Sequence, residues 1–371
     1  ELSNTISTSY ENSVKTDEKL AKIRNYDSAR EGSLNQNNIP VKVYDNLVDV
    51  VEDNLDLLHR HLELKREAIG SEELRMWDLY TSMAESEIPD IPYEKAKEYV
   101  LGSVRPLGED YRNQIEEGFR SRWIDVYETP AKRAGAYSGG AYDTQPFILL
   151  NYDEDISSLY TLAHELGHSM HSRLTSNHQP YIYHSYSIFV AEVASTMHEA
   201  LLTEYMLENV NNPEVRLHIL DHFLETFRTI LYRQTLFADF EHEVHEKVRA
   251  GEGLTFDKLS DLFGSLKREY YEPAVIDDRI EFEWMRIPHF YRAYYVFQYS
   301  TGISASLALS QKVIEEGERA VERYLKLLKS GSSKYPLDAL RDAGVDMSEP
   351  KPVERALSVY DRYLDRMENL L

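Results

Sequence analysis

HELGHSMH, residues 164–171, holds two imidazoles one helical turn apart, a carboxylate beside the first, and a glycine between them. Asp155 is a fitting N-cap for the segment that follows, since a carboxylate suits the positive end of a helix. From there Leu159, Leu162, Leu166, Met170 and Leu174 recur at three- and four-residue steps, an apolar stripe. His164, His168 and His171 lie on another face. Side chains four apart point the same way, so His164 and His168 can reach one ion. Glu165 stands about 100° round the axis, near that ion but not aimed at it. Gly167 costs about 1 kcal/mol relative to alanine in a helix interior. Either another element must pass close by, or it is a tolerated surface glycine.

Two histidine ligands with a neighbouring carboxylate that polarises a bound water make up a zinc hydrolase helix. The pattern needs a third ligand. The subclass with a third histidine would place it at 174, where this chain has Leu174. The alternative is a glutamate on a second helix. Residues 187–206, SIFVAEVASTMHEALLTEYM, read as a largely buried helix with Glu192 in the middle of its apolar run. An unpartnered carboxylate there costs several kcal/mol, a cost a cation removes. An ion pair with a buried arginine is the competing reading, and Glu204 is a weaker fallback ligand. Glu199, two turns beyond Glu192, is placed to hold a ligand histidine by its second ring nitrogen.

Working outward, the 371 residues contain 42% hydrophobic residues and no cysteine, so disulfides are excluded and metal sites must use His, Asp or Glu. The absence of cysteine fits a reducing compartment, and a cytoplasmic location is expected. The formal net charge of −23 argues against nucleic acid or an anionic membrane as partner, because both need Lys/Arg stripes. Helical periodicity dominates. Leu47, Val51, Leu55, Leu58 and Leu62 form one run after Pro40, closed by Gly70. Residues 93–101, 109–123, 214–249, 255–270 and 311–330 also predict helices. GAYSGGAYDTQPFILLNY, residues 135–152, predicts short strands around a glycine turn. The expected architecture is mainly α, a gluzincin-type helical catalytic domain with a small β-sheet beside the HExxH helix.

HELGHSMH, followed by QPYIYHSYSIFVAEVAST and later by RIPHFYRAYYVFQYSTG, resembles the oligoendopeptidase F branch of the thimet-oligopeptidase-like zinc peptidases. AKIRNYDSAREGSL, IPVKVYDNLVDVV and KRAGAYSGGAYDTQPFILLNY resemble that branch too, so the likeness covers nearly the whole chain. It implies one zinc per chain, held by His164, His168 and Glu192, with Glu165 as general base and acid. It implies a zincin-like helical shell around a channel open to short peptides. It also implies that the strand at 135–142, with Gly135, Ala136 and Tyr137, pairs with the backbone of a bound peptide. One catalytic region, 1–371, is expected: helical over 1–134, a sheet at 135–152, zinc-site helices at 153–210 and a helical remainder. The resemblance begins inside the family pattern. The helical region that members carry before it is expected to be missing, and association with such a segment or a homo-oligomer is a partner expectation.

In IPHFYRAYYVFQYS, Tyr291, Tyr295 and Tyr299 are spaced to share one helix face, with His289 just before it. The resemblance gives His289 and Tyr291, and with less weight Tyr295, the role of donors to the developing oxyanion. Tyr294 and Tyr299 fit a packed aromatic face. His171 is expected to pack. His218, His222, His242 and His245 are read as structural or solvated, the last two on a surface helix. The expected function is a zinc endopeptidase for short unfolded peptides. A related carboxypeptidase, with Arg286 or Arg292 on the terminal carboxylate, and a non-catalytic peptide-binding zinc protein are the alternatives.

Overall fold

The computed structural model describes residues 2–84 and 90–371. Residue 1 and residues 85–89, part of the stretch 1–134 expected to be helical, lie outside the described residues. Along the chain run α1 (Ser3–Ile23), α2 (Ala29–Asn35), α3 (Lys42–Glu52), α4 (Leu55–Ala68), α5 (Tyr93–Ser103) and α6 (Glu109–Arg120). Strands β1 (Ile124–Asp125), β2 (Tyr137–Gly139) and β3 (Phe147–Leu149) follow. Then come α7 (Ile156–His178), α8 (Ile188–Asn209), α9 (Pro213–Phe227), α10 (Arg233–Arg249) and α11 (Phe256–Tyr270). The last four helices are α12 (Phe297–Glu316), α13 (Glu318–Leu328), α14 (Pro336–Ala343) and α15 (Lys351–Glu368). No described helix is long and apolar enough to cross a membrane.

The chain forms two compact units. The first comprises Glu1–Met83, Thr226–Thr301 and Ser348–Pro350. Its core gathers aromatic rings: Tyr10 of α1 lies 5.7–6.3 Å from Phe240, Trp284 and Phe290. The run from Leu47 to Leu62 is buried as its spacing predicts, but it is two helices, not one. The break falls at Asp53–Asn54, where the Asn54 side chain bonds back to the Val50 carbonyl at 2.8 Å and competes with the helix. Gly70, at φ +65°, ends α4 as expected, with Gly70 N–H donating to Glu67 and Ser71 N–H to Arg66. The expected helix over 214–249 is present, but it changes to a π-helical turn at Arg228–Tyr232. His245 is not on a surface helix: it is fully buried, with Nδ1 2.8 Å from Glu18 Oε1.

The second unit comprises Ala84–Glu225, Gly302–Met347 and Lys351–Leu371. Helices α7 and α8 pair at its centre, with α5, α6 and α13 packed around them. The stripe from Leu159 to Leu174 is buried throughout. Asp155 caps α7, accepting the Ser158 N–H at 2.6 Å. The predicted helix over 109–123 stops at Arg120, and residues 124–125 turn into a strand. The sheet order is β1-β3-β2, with β3 parallel to β1 and antiparallel to β2. The helix expected over 311–330 is interrupted at Gly317, whose φ of +63° suits glycine and ends α12.

Candidate metal centre

His164 and His168 lie on α7 and Glu192 on α8, and their ligand atoms converge. His168 Nε2 is 3.1 Å from His164 Nε2. Glu192 Oε2 is 3.6 Å from His164 Nε2 and 3.7 Å from His168 Nε2. Donors roughly 2.0–2.2 Å from a zinc ion stand at such mutual spacings. The chemistry of the donors fits too. Glu165, Glu192 and Glu199 surround the two imidazoles, and among the described residues no Lys or Arg pairs with Glu192. Ser195 Oγ instead donates to its Oε2 at 3.2 Å. The fallback ligand Glu204 is engaged elsewhere, by Arg362 at 3.0 Å and Arg366 at 3.5 Å.

Glu199 Oε1 lies 2.5 Å from His164 Nδ1. That contact puts the proton of a neutral imidazole on Nδ1 and leaves the Nε2 lone pair for a cation. Burial alone pulls the His164 imidazolium down, but the hydrogen bond and charge of Glu199, with Glu192 and Glu165, raise it to about 9. His168 goes the other way, to about 3, through burial first and then His164.

The helices meet at Gly167. A Cβ there would stand 2.5 Å from the Ala194 carbonyl oxygen and 2.6 Å from Ser195 Cα. The glycine thus serves close passage of α8, not surface tolerance. A second glycine, Gly302 of α12, approaches Glu192 itself: a Cβ would lie 3.0 Å from Glu192 Cβ. His198 also ties the pair together. Its Nδ1 bonds to the Ala163 carbonyl at 3.0 Å and its Nε2 meets the Tyr111 hydroxyl at 2.7 Å. Nothing in the sequence reading singled out His198. Its signal was a buried-side position among the apolar residues Val193, Ala194, Met197 and Leu201 of α8.

Glu165 is 7% exposed, and its Oε2 has no hydrogen-bond partner. Burial raises its carboxyl above the usual range, opposed by His164 and by the backbone N–H of Ser138. That N–H comes from β2. Ile148, the register partner of Ser138, donates its own N–H to Trp123 on the opposite side at 2.7 Å. Ser138 N–H is therefore outside the β2–β3 ladder and faces the outer edge, which no described strand covers. Gly135, at φ +85°, and Ala136 lead into β2, and Tyr137 opens it with its side chain 56% exposed. Asn151 holds the Gly135 carbonyl at 2.8 Å, and Ser138 Oγ meets Ser169 Oγ of α7 at 2.8 Å.

The residues around His289 do not share one helix face. Pro288–Tyr291 is a 3-10 turn, Tyr294 takes φ +54°, and α12 begins only at Phe297. His289 stacks on Tyr295 with ring centres 5.8 Å apart, and Tyr299 meets both rings edge-on. Tyr291 turns away, 43% exposed and against Tyr10. His171 packs on Tyr186 at 3.6 Å, as expected.

Oligopeptidase PepF of Bacillus subtilis is 49% identical over 369 residues, 99% of this chain and 55% of its own. The crystal structure of oligoendopeptidase-F from Enterococcus faecium matches 100% of this chain and 60% of that one, at 40% identity and a TM-score of 0.80. The crystal structure of a putative peptidase from Chlamydophila abortus matches 100% of this chain and 62% of that one, at 35% identity and a TM-score of 0.92. The present chain thus spans between half and two thirds of these relatives. The model of peptidase family M3 matches residues 1–359, and with relatives this similar over nearly the whole chain, the chain belongs to that family.

Proposed function

We infer that the chain carries the catalytic centre of a zinc endopeptidase that cuts internal bonds of short, unfolded peptides. The observation that carries this reading is the partnerless Oε2 of Glu165, buried beside a three-donor cluster and an open strand edge. His164 Nε2, His168 Nε2 and Glu192 Oε2 would hold the metal, which when bound supplies a Lewis acid for water and the peptide carbonyl. Glu165 takes the proton from the attacking water and passes it to the leaving amine. A carboxyl raised by burial suits both transfers near neutral pH. The outer edge of β2 holds the peptide extended, with backbone bonds that leave side-chain choice broad. His289, with Tyr291 or Tyr295, is assigned to donate to the oxyanion, the role the sequence resemblance implies.

The test pairs zinc content with mass-spectrometric mapping of cuts in a mixed peptide set, for the chain and for Glu165→Gln. The expected result is one zinc in both proteins, and internal cuts that vanish in the variant. Undiminished cutting by Glu165→Gln sinks the general-base role. Trimming only from C-termini points to the carboxypeptidase alternative, and zinc without cuts in either protein to the binding one.

A further inference from the structure

Glu241 lies between Phe237 and Val244 on the buried face of α10, and it is itself fully buried. Among the described residues no Lys or Arg pairs with it. Burial raises its carboxyl well above the usual range, opposed by the backbone N–H of Tyr294, with the charge of Asp17 adding to the rise. Its Oε2 has no hydrogen-bond partner. The Tyr10 hydroxyl is also buried and without a partner, and burial, then the Glu241 charge, pushes it up. A carboxyl in such surroundings is costly. The bond it does make shows what it is there for: Oε1 accepts the N–H of Tyr294 at 2.8 Å.

That N–H belongs to the Ala293–Tyr294 peptide group. At the other end of the same group, the Ala293 carbonyl accepts from Ser33 Oγ of α2 at 2.7 Å. A trans peptide is a rigid plane, so bonds at its two opposite ends fix its tilt. This plane has reason to turn, because Tyr294 takes φ +54°, a left-handed conformation that a side chain disfavours. The Tyr294 ring is buried, with the rings of Tyr44 and His245 centred 5.5 and 4.8 Å away. Rotation of the plane would release the strain and displace the next residue, Tyr295. That residue is half-buried and stacks on His289 at 5.8 Å, its ring centre 3.9 Å from the Arg292 guanidinium carbon. Tyr299 donates to the Tyr295 hydroxyl at 3.3 Å.

We propose that Glu241, with Ser33 as its counterpart, is a positioning residue: through the Ala293–Tyr294 peptide it sets Tyr295 against His289 in the arrangement that donates to the oxyanion. This rests on the reading that gives His289 and Tyr295 that role. The experiment measures kcat and KM of the full chain on a short internally quenched peptide at pH 7, together with zinc content and amide exchange over residues 289–296. Glu241→Gln keeps an acceptor on a neutral side chain, and should keep kcat and exchange at the parent level. Glu241→Met keeps the length and removes the acceptor. Its kcat should fall about tenfold or more, the scale of a misplaced reacting group, with KM and zinc content unchanged and exchange faster. Ser33→Ala loosens the other end of the peptide, and should lower kcat about threefold in the same pattern, whether or not Glu241→Met folds. In a His289→Ala/Tyr295→Phe background, Glu241→Met and Ser33→Ala should each cost little more, because the groups they position are gone. Parent kcat in both single variants, with or without faster exchange, overturns the proposal, as does a Glu241→Gln variant as slow as Glu241→Met. Losses that multiply in the double-variant background overturn it too. A His289→Ala/Tyr295→Phe chain with parent kcat instead removes the donor reading itself, and this proposal with it.

Discussion

A methyl group at position 167 would press on the backbone of α8, which has no flexible end to move aside. Gly167→Ala is therefore expected to destabilise the chain by about 1–3 kcal/mol, the usual cost of overpacking, with circular dichroism melts as the check. Separating the helices also widens the triangle of donors, so zinc retention should fall more than retention of a larger ion such as cadmium. Glu192→Ala removes the only carboxylate of the triangle, and metal analysis should find most of the zinc gone. Both residues were legible in the sequence: the glycine because it costs helix stability, the glutamate because it interrupts an apolar run. Glu199 was legible for its spacing from Glu192. Tyr299 packs against aromatic rings as read, but its contact with His289 was not legible, because it depends on the 3-10 turn and the positive φ at Tyr294. Neither irregularity has a periodicity to read.

At the level of elements, α7 and α8 were readable because each has a cap or an apolar stripe of its own. The three strands were readable only in part. Glycines and the FILLNY run announced β2 and β3, but the two-residue β1 follows a helix and is made by its partner β3. Helix breaks at Asp53–Asn54 and Gly317 were passed over, since the apolar spacing continues across them. The edge position of β2 has its own test. Ser138→Pro removes no β2–β3 ladder bond and is tolerated on an outer strand. It should cost roughly 1–2 kcal/mol through the lost bonds to Ser169 and to the Glu165 carboxyl. Zinc content should stay at the parent level while peptide turnover drops at least tenfold, measured on a short internally quenched peptide. Turnover equal to the parent would show that peptides do not use this edge.

Across the whole molecule the excess of acidic groups is partly stored inside. Asp239 of α10 is pushed up to about 8 by burial first, then by the charge and hydrogen bond of Glu52 and by Glu243. Its folded-state value lies above its unfolded one, so the folded chain binds the extra proton between about pH 4 and 8. That contribution is fully present below about pH 4 and is lost as pH rises through 8. Asp239→Asn, which keeps the neutral form, should gain roughly 1 kcal/mol or more near pH 8 and flatten the decline, as urea melts across pH 5–8 would record. The donor cluster and the first unit differ in how far apart along the chain their parts lie. Every residue of the donor cluster, with Glu165 and Glu199, lies between positions 164 and 199, on two helices joined by a short connection. The first unit joins residues up to Met83 to residues from Thr226 onward, across a long interval. Local contacts form with little loop-closure cost, and distant ones wait for the chain. During synthesis the α7–α8 hairpin with its three donors therefore emerges while the first unit still lacks Thr226–Thr301, so the donors can meet before that unit assembles.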